Sequence, residues 1–300
     1  MTLLLLVATA IATACAVAVL AWRWAAGTRR PGEQAMGTAR RAGAAVRRHP
    51  GRTSALAARL DPGAATGLAL TLALLIIVLG GVLLAVLAYL VRGDTDLVRL
   101  DTSVANWGAD HASRFSTDGL NAVTDLGEPK MVIALAVVLA LVETVRTRSR
   151  WVVPFLLLVV AGNGILTTTV KNLADRVRPE LNPIAETLGP SFPSGHPSWS
   201  AAFLAAAALV LSRGRGPRAR AALAGVAAGL TVMIAGSRVL LSVHWLSDVI
   251  AGLALGCAWF SICAIAFGGR LLRFGAPAEE ATRVARGEVA APPLGSSTPH

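Results

Sequence analysis

The stretch Ser237-Arg238-Val239-Leu240-Leu241-Ser242-Val243-His244-Trp245-Leu246-Ser247-Asp248 lies between two uncharged apolar runs, 221–237 and 249–269. Arg, His and Asp are costly near a bilayer, so their clustering between two membrane-length runs marks a functional site. His244 and Asp248 stand i, i+4, which on a helix puts them on one face, one turn apart. A carboxylate so placed can accept a ring N–H, fix the tautomer and leave the other ring nitrogen free to react. Arg238 offers a planar cationic fork suited to a phosphate or carboxylate. Six residues turn a helix through ~240°, so Arg238 and His244 converge only if the helix breaks between them.

The rest of the chain has the composition of an integral membrane protein. Of its 300 residues 54% are hydrophobic and 15% charged, and the mean hydropathy is +0.61. A soluble domain carries more charge and less apolar side chain. The net charge of +11 is not a nucleic-acid signature, because the arginines gather in short segments between apolar runs. No nucleic-acid partner is expected. Cys15, Cys257 and Cys263 all lie in apolar runs and read as small buried hydrophobes that do not bridge.

Residues 1–22 are uncharged and long enough to cross a hydrocarbon core of about 30 Å. With no basic residue ahead of the apolar run and Arg23 behind it, this segment reads as a retained helix with its N-terminus outside, a cleaved signal being the alternative reading. Residues 23–60 hold nine Arg and one Glu and read as a solvated, poorly ordered basic linker attracted to lipid headgroups. Further spans are expected at 68–91, 131–145, 151–170, 198–212, 221–238 and 249–269. Between them, 92–129 is acidic, with Leu97, Leu100, Val104 and Trp107 at the spacing of an amphipathic helix lying on the membrane surface. His111 beside it reads as an ordinary exposed histidine. The segment 171–197 is polar and Pro-rich, and the tail 274–300 reads as disordered.

The Arg-dense segments 23–60, 146–150, 213–220 and 270–273 alternate with 92–129, 171–197 and 239–248 through all seven spans. The basic set is therefore expected in the cytoplasm and the other set outside. The outside set holds every unusual residue. The expected architecture is an all-α polytopic membrane bundle: an extra N-terminal transmembrane helix at 1–22, the linker 23–60, a six-helix core over 61–273 and the tail 274–300.

Two outside segments add chemistry to the opening stretch. Lys171-Asn-Leu-Ala-Asp-Arg-Val-Arg178-Pro179 sets Lys171 and Arg178 seven apart, on one face if the helix continues, and Pro179 stops it. Lysine is used only twice among 28 basic residues, which suggests that Lys171 serves as a compact point charge. In Ser191-Phe192-Pro193-Ser194-Gly195-His196-Pro197-Ser198, Ser194 and Gly195 fall just ahead of a helix start. Free backbone N–H groups and the helix dipole favour an anion there, and Gly195 allows close backbone approach.

Together, Lys-x6-Arg-Pro (Lys171, Arg178, Pro179), Pro-Ser-Gly-His (Pro193, Ser194, Gly195, His196) and Ser-Arg-x5-His-x3-Asp (Ser237, Arg238, His244, Asp248) resemble the three-part signature of the type 2 phosphatidic acid phosphatase superfamily. All three parts match in order, and the six spans from 68 to 269 look like that family's six-helix core. The resemblance implies a membrane lipid phosphatase acting on a lipid phosphate or diphosphate: undecaprenyl-type, phosphatidic acid or phosphatidylglycerophosphate. It implies that Lys171, Arg178, Arg238, Ser194 and Gly195 hold the phosphate, and that His244 attacks phosphorus to form a phosphohistidine. Asp248 would orient His244, and His196 would protonate the leaving oxygen and then activate water. No metal or other cofactor is expected. The competing reading is a transporter or binder of phosphorylated lipids, which would have no need of the His244–Asp248 pair. A soluble vanadate-dependent haloperoxidase has a similar anion pocket, but seven spans argue against it.

Overall fold

A computed structural model describes residues 2–27, 65–93, 95–111, 113–179 and 189–271. The disorder expected for the linker, from residue 28 on, and for the tail concerns residues outside those described. Nine helices and no strands occur among the described residues: α1 (Thr2–Gly27), α2 (Ala65–Leu90), α3 (Asp96–Asp110), α4 (Arg114–Asp125), α5 (Pro129–Thr147), α6 (Val152–Ala174), α7 (Gly195–Leu211), α8 (Pro217–Leu240) and α9 (Leu246–Leu271). Long apolar runs with no water to satisfy the backbone leave the helix as the available conformation, because each of its peptide groups bonds within the segment.

Among the described residues, five helices are long and apolar enough to cross a membrane: Thr2–Arg23, Leu70–Leu90, Val152–Ala174, Pro217–Leu240 and Leu246–Phe267. The protein is a multi-pass membrane protein. The other two expected spans are also helices, but less simple ones. The run expected at 198–212 is the 17-residue α7, about 26 Å long, and it starts early enough to hold His196 in its first turn. The run expected at 131–145 is α5, which includes Glu143. That carboxylate is buried and takes two 2.8 Å bonds from Arg146 one turn on, an arrangement that makes a charge tolerable near a bilayer.

Helices α7, α8 and α9 pack on one another. Around them, α6 lies against α7 and α9, α2 against α9, and α1 along α8. Val152, Phe155, Leu156 and Val159 of α6, Ala202, Ala206 and Val210 of α7 and Cys263 of α9 form one buried cluster. Small residues set the spacing where helices approach closely. A Cβ at Gly252 or Gly256 of α9 would run into the carbonyl oxygens of Ser194 and Ser198 on α7. Leu72, Leu75, Val78, Leu79 and Val82 of α2 are exposed, facing outward as a lipid-contacting helix should. Cys263 is buried as expected, but Cys15 and Cys257 are exposed on the outer faces of their helices, because with lipid as solvent an apolar run gives no sign of which side turns inward.

The acidic segment 92–129 holds two helices where one was expected. α4 was not anticipated; it begins at a capping box in which Ser113 and Ser116 each bond the other's backbone N–H, a variant with Ser in the place usual for Glu. In α3 the buried residues are Asp101, Ala105 and Gly108. The expected face of α3 is only partly covered: Leu100 is 50% and Trp107 39% exposed. Leu97 and Val104 pack against neighbouring clusters. The side that meets the bundle thus carries a carboxylate, which the apolar pattern passes over. His111 is exposed, as expected, and stacks on Trp107.

Candidate active site

The C-terminal ends of α6 and α8 and the N-terminal ends of α7 and α9 come to one end of the bundle, where α3 and α4 also pack on α8. Two helix breaks bring the cations together there. α8 stops at Leu240, and Ser242 adopts a left-handed conformation at φ 54°. That is the break required between Arg238 and His244. Ser242 Oγ donates to Ala105 O of α3 at 2.9 Å and holds the turn. α6 stops at Ala174, and Asp175 is left-handed at φ 43°. Lys171 and Arg178 therefore do not share a helix face. Residues 175–179 are not helical, and Arg178 reaches the site from this segment.

His244 likewise lies before its helix and not on it, since α9 begins at Leu246. It still meets Asp248, because Asp248 Oδ2 accepts from the Trp245 backbone N–H at 3.1 Å, the reach-back that closes a helix start. His244 Nδ1 lies 3.5 Å from that same Oδ2. Both residues are buried, at 1% and 0% exposure.

Arg178 faces the other side of the ring. Its Nη1 lies 3.0 Å from His244 Nε2 and donates to Val243 O at 3.1 Å, while its Nε donates to Gly189 O at 3.0 Å. Lys171 Nζ donates to Pro190 O at 2.7 Å. Arg238 Nη1 donates to Thr124 Oγ1 of α4 at 3.1 Å. The Ser194 N–H donates to Asp248 O at 2.9 Å, which ties the start of α7 to the start of α9. Ser194 is the N-cap of α7 and Gly195 its first residue. His196 follows within the first turn, half-buried. Ser194 Oγ, Arg238 Nε and His244 Nδ1 are buried without a hydrogen-bond partner. Native interiors seldom leave such atoms unpaired, and here they fall within a cluster of cations.

Burial holds the His244 imidazole well below its ordinary pKa, and Arg178, Arg238 and Lys171 add to the effect in that order. That shift favours the uncharged ring, whose Nε2 faces Arg178 Nη1. Burial also lowers the Arg178 guanidinium, while Asp248 acts to raise it. A site with three cations and few anions is electrostatically prepared for a polyanion.

The candidate residues Lys171, Arg178, Ser194, Gly195, His196, Arg238, His244 and Asp248 are thus brought to one end of the bundle. Ser237 is not among them: its hydroxyl turns back to Ile234 O at 2.7 Å. Three further polar residues, the buried Asp101 and Ser247 and the partly buried Arg176, meet here although no motif marks them. Arg176 Nη1 donates to Asp248 Oδ1 at 2.6 Å and to Ser247 Oγ at 2.8 Å, and its Nη2 donates to Asp101 Oδ2 at 2.8 Å. The Ser247 N–H donates to Asp101 Oδ1 at 2.9 Å, and the Ser247 hydroxyl donates to Asp101 Oδ2. Arg176 also stacks over Trp245, 5.4 Å from the ring centroid. Asp101 is one of seven acids in the segment 92–129, and only its burial distinguishes it. Arg176 could have been suspected from its position two before Arg178, since i and i+2 side chains of an extended segment point the same way.

Residues 152–271 match the family model described as the PAP2 superfamily. The lipid A 1-phosphatase of Rhizobium johnstonii is 35% identical over 137 residues, covering 41% of this chain and 52% of that protein. The lipid A 1-phosphatase of Rhizobium etli is 31% identical over 163 residues, covering 47% and 66%. Phosphatidylglycerophosphatase B of Bacillus subtilis is 29% identical over 146 residues, covering 47% and 70%. The chain spans between half and two thirds of the length of the two lipid A 1-phosphatases. Among solved structures, the transmembrane PAP2 type phosphatidylglycerolphosphate phosphatase from Bacillus subtilis superposes with a TM-score of 0.59 at 22% identity, covering 62% of this chain and 93% of that one. That likeness is one of fold. The segment matched by the PAP2 superfamily model contains every candidate site residue.

Proposed function

We propose that this chain is a membrane phosphatase that hydrolyses a lipid phosphate or diphosphate through a phosphohistidine at His244, with the reaction on the extracytoplasmic face. One observation carries the reading. His244 is buried, with Arg178 Nη1 at 3.0 Å from Nε2 and Asp248 Oδ2 at 3.5 Å from Nδ1. A ring held between a carboxylate and a phosphate-binding fork is arranged for nucleophilic attack.

The substrate phosphoryl group takes the Arg178 fork from Nε2, together with Lys171, Arg238 and the Ser194–Gly195 start of α7. These groups offset the charge on the equatorial oxygens, which is the greater part of catalysis in phosphoryl transfer. Nε2 then bonds to phosphorus as the bond to the leaving oxygen breaks. His196, whose pKa is held down to about 3 by burial and the neighbouring cations, takes up a proton when the phosphate anion offsets those cations and donates it to that oxygen. The imidazole becomes cationic and Asp248 stabilises it. Water attacks the phosphohistidine, His196 takes a proton from it, the P–N bond breaks and phosphate leaves. The partners are the lipid phosphate substrate and the surrounding membrane lipid. The relatives' names, lipid A 1-phosphatase and phosphatidylglycerophosphatase B, support a lipid phosphate as the substrate class.

The test is phosphate release by purified protein in detergent from phosphatidic acid, phosphatidylglycerophosphate, lipid A and a polyprenyl diphosphate. Release that disappears in His244→Ala supports the reading. Binding without release, unchanged by that substitution, returns the chain to the class of lipid-phosphate binders or transporters. The outside location rests on the alternation of Arg-dense segments. A single cysteine at Asp118 should react with an impermeant thiol reagent in intact cells and one at Gly214 should not; the reverse result inverts the topology.

A further inference from the structure

The pair of buried Asp101 and partly buried Arg176 lies at the active site and has no part in the mechanism above. Arg176 is 10% exposed, and Asp101 and Asp248 are fully buried. Such an ion-paired triad is costly to desolvate and earns little stability by itself, so its charge arithmetic is informative. Asp248 and Arg176 alone sum to zero, and a neutral pair is a poor counter-ion for a cationic imidazole. Asp101 adds one negative charge. The triad then carries −1, which matches the +1 that appears on His244 when Nε2 bonds to phosphorus. Asp101 is well held for this: it accepts from Arg176, from the Ser247 N–H at 2.9 Å and from the Ser247 hydroxyl. It comes from α3, outside the segment matched by the family model.

Resting on the phosphatase reading, we propose that Asp101 and Arg176 are positioning residues: Arg176 holds the Asp248 carboxylate against His244, and Asp101 restores the negative charge that Arg176 would otherwise cancel. The other charged or titratable groups facing His244 are Lys171 and Arg178 from α6 and the segment after it, Arg238 from α8 and His196 from α7. These stay constant in the test.

The experiment compares kcat, KM and the pH dependence of kcat/KM for wild type, Asp101→Asn, Ser247→Ala and the double variant Asp101→Asn/Arg176→Gln, on the best substrate of the panel. His244 must be neutral to attack, so its proton affinity appears as the acid limb of the profile; substrate ionisation is common to all four proteins. Asp101→Asn removes a negative charge, weakens proton binding at His244 and should move the acid limb to lower pH by about one unit. Its kcat should fall about tenfold, the rate equivalent of one unit, with KM nearly unchanged. Ser247→Ala removes two hydrogen bonds, from Arg176 and to Asp101, but no charge and should leave the limb in place. The double variant leaves Asp248 as the lone charge, restores −1 and should bring the limb back to the wild-type position. A purely structural role predicts the opposite, that the double variant is worse than the single one. An acid limb unmoved in Asp101→Asn, or a double variant poorer than the single, overturns the proposal. If Asp101→Asn does not fold, the double variant decides: a folded protein with a wild-type limb supports the proposal, and failure to fold or turn over refutes it. A wild type that releases no phosphate removes the phosphatase reading and this inference with it; an active wild type with unmoved limbs removes the inference alone.

Discussion

Changing Gly252 to Ala tests whether the phosphate cradle is positioned by helix packing. Gly252 lies one turn past Asp248 on α9, against the start of α7. A Cβ there would sit under 3.0 Å from the Ser194 carbonyl oxygen, with Ser194 C at 3.3 Å and Pro197 Cβ at 3.4 Å. All three obstacles belong to backbone or to a proline ring, so no flexible side chain can swing aside. Relief requires the Ser194–Gly195 turn to back away by on the order of 1 Å, and a misplacement of that size at a reacting group costs about 100-fold in rate. Overpacking adds roughly 1–3 kcal/mol of destabilisation. The assay is the initial rate of phosphate release in detergent, with thermal unfolding followed on the same samples. Gly256→Ala meets Ser198 one turn further from the cradle and should lose similar stability but much less activity. Gly81→Ala, with nothing within 4 Å, should change neither. A Gly252→Ala protein that retains more than half of wild-type turnover would refute the reasoning, as would a Gly256→Ala protein with the larger loss of rate.

Three further outcomes are expected. Asp248→Asn should slow turnover by about three to four powers of ten, because an amide can hold the wrong imidazole tautomer and cannot stabilise the cation; near-normal turnover would make Asp248 merely structural. Activity should persist in EDTA and be inhibited by vanadate, which mimics five-coordinate phosphorus among Lys171, Arg178 and Arg238; complete loss in EDTA, restored by a divalent ion, would contradict the metal-free mechanism. His196→Ala should trap a labelled phosphoenzyme from a lipid diphosphate but little from phosphatidic acid. A lipid monophosphate, with a second pKa near 6 as for phosphorylated side chains, leaves with little help, whereas an alkoxide needs a proton. Equal labelling from both substrates would show that His196 is not the acid.

The sequence by itself determined the membrane class, the helices at each of the seven expected spans and which polar residue types gather at one end. Those properties are local: an apolar run in a bilayer must be helical, and Lys171-x6-Arg178, Ser194-Gly195-His196 and Arg238-x5-His244-x3-Asp248 each state residue type and order. Tertiary structure decided how the groups meet. Lys171 and Arg178 were expected on one helix face, and His244 and Asp248 on another. Instead Asp175 at φ 43° ends α6, and His244 stands ahead of α9. Seven- and four-residue spacings give helical faces only while the helix continues, and left-handed stops at non-glycine residues leave little trace in sequence. Asp101 was further from view. It lies 75 residues from Arg176 and 146 from Ser247, and a charge in an acidic segment reads as solvated until a fold buries it. Which carboxylate of seven in that segment turns inward is a property of how α3 packs on α8 and α9, where burial makes an unpaired charge so unfavourable that its partners must be supplied from distant parts of the chain.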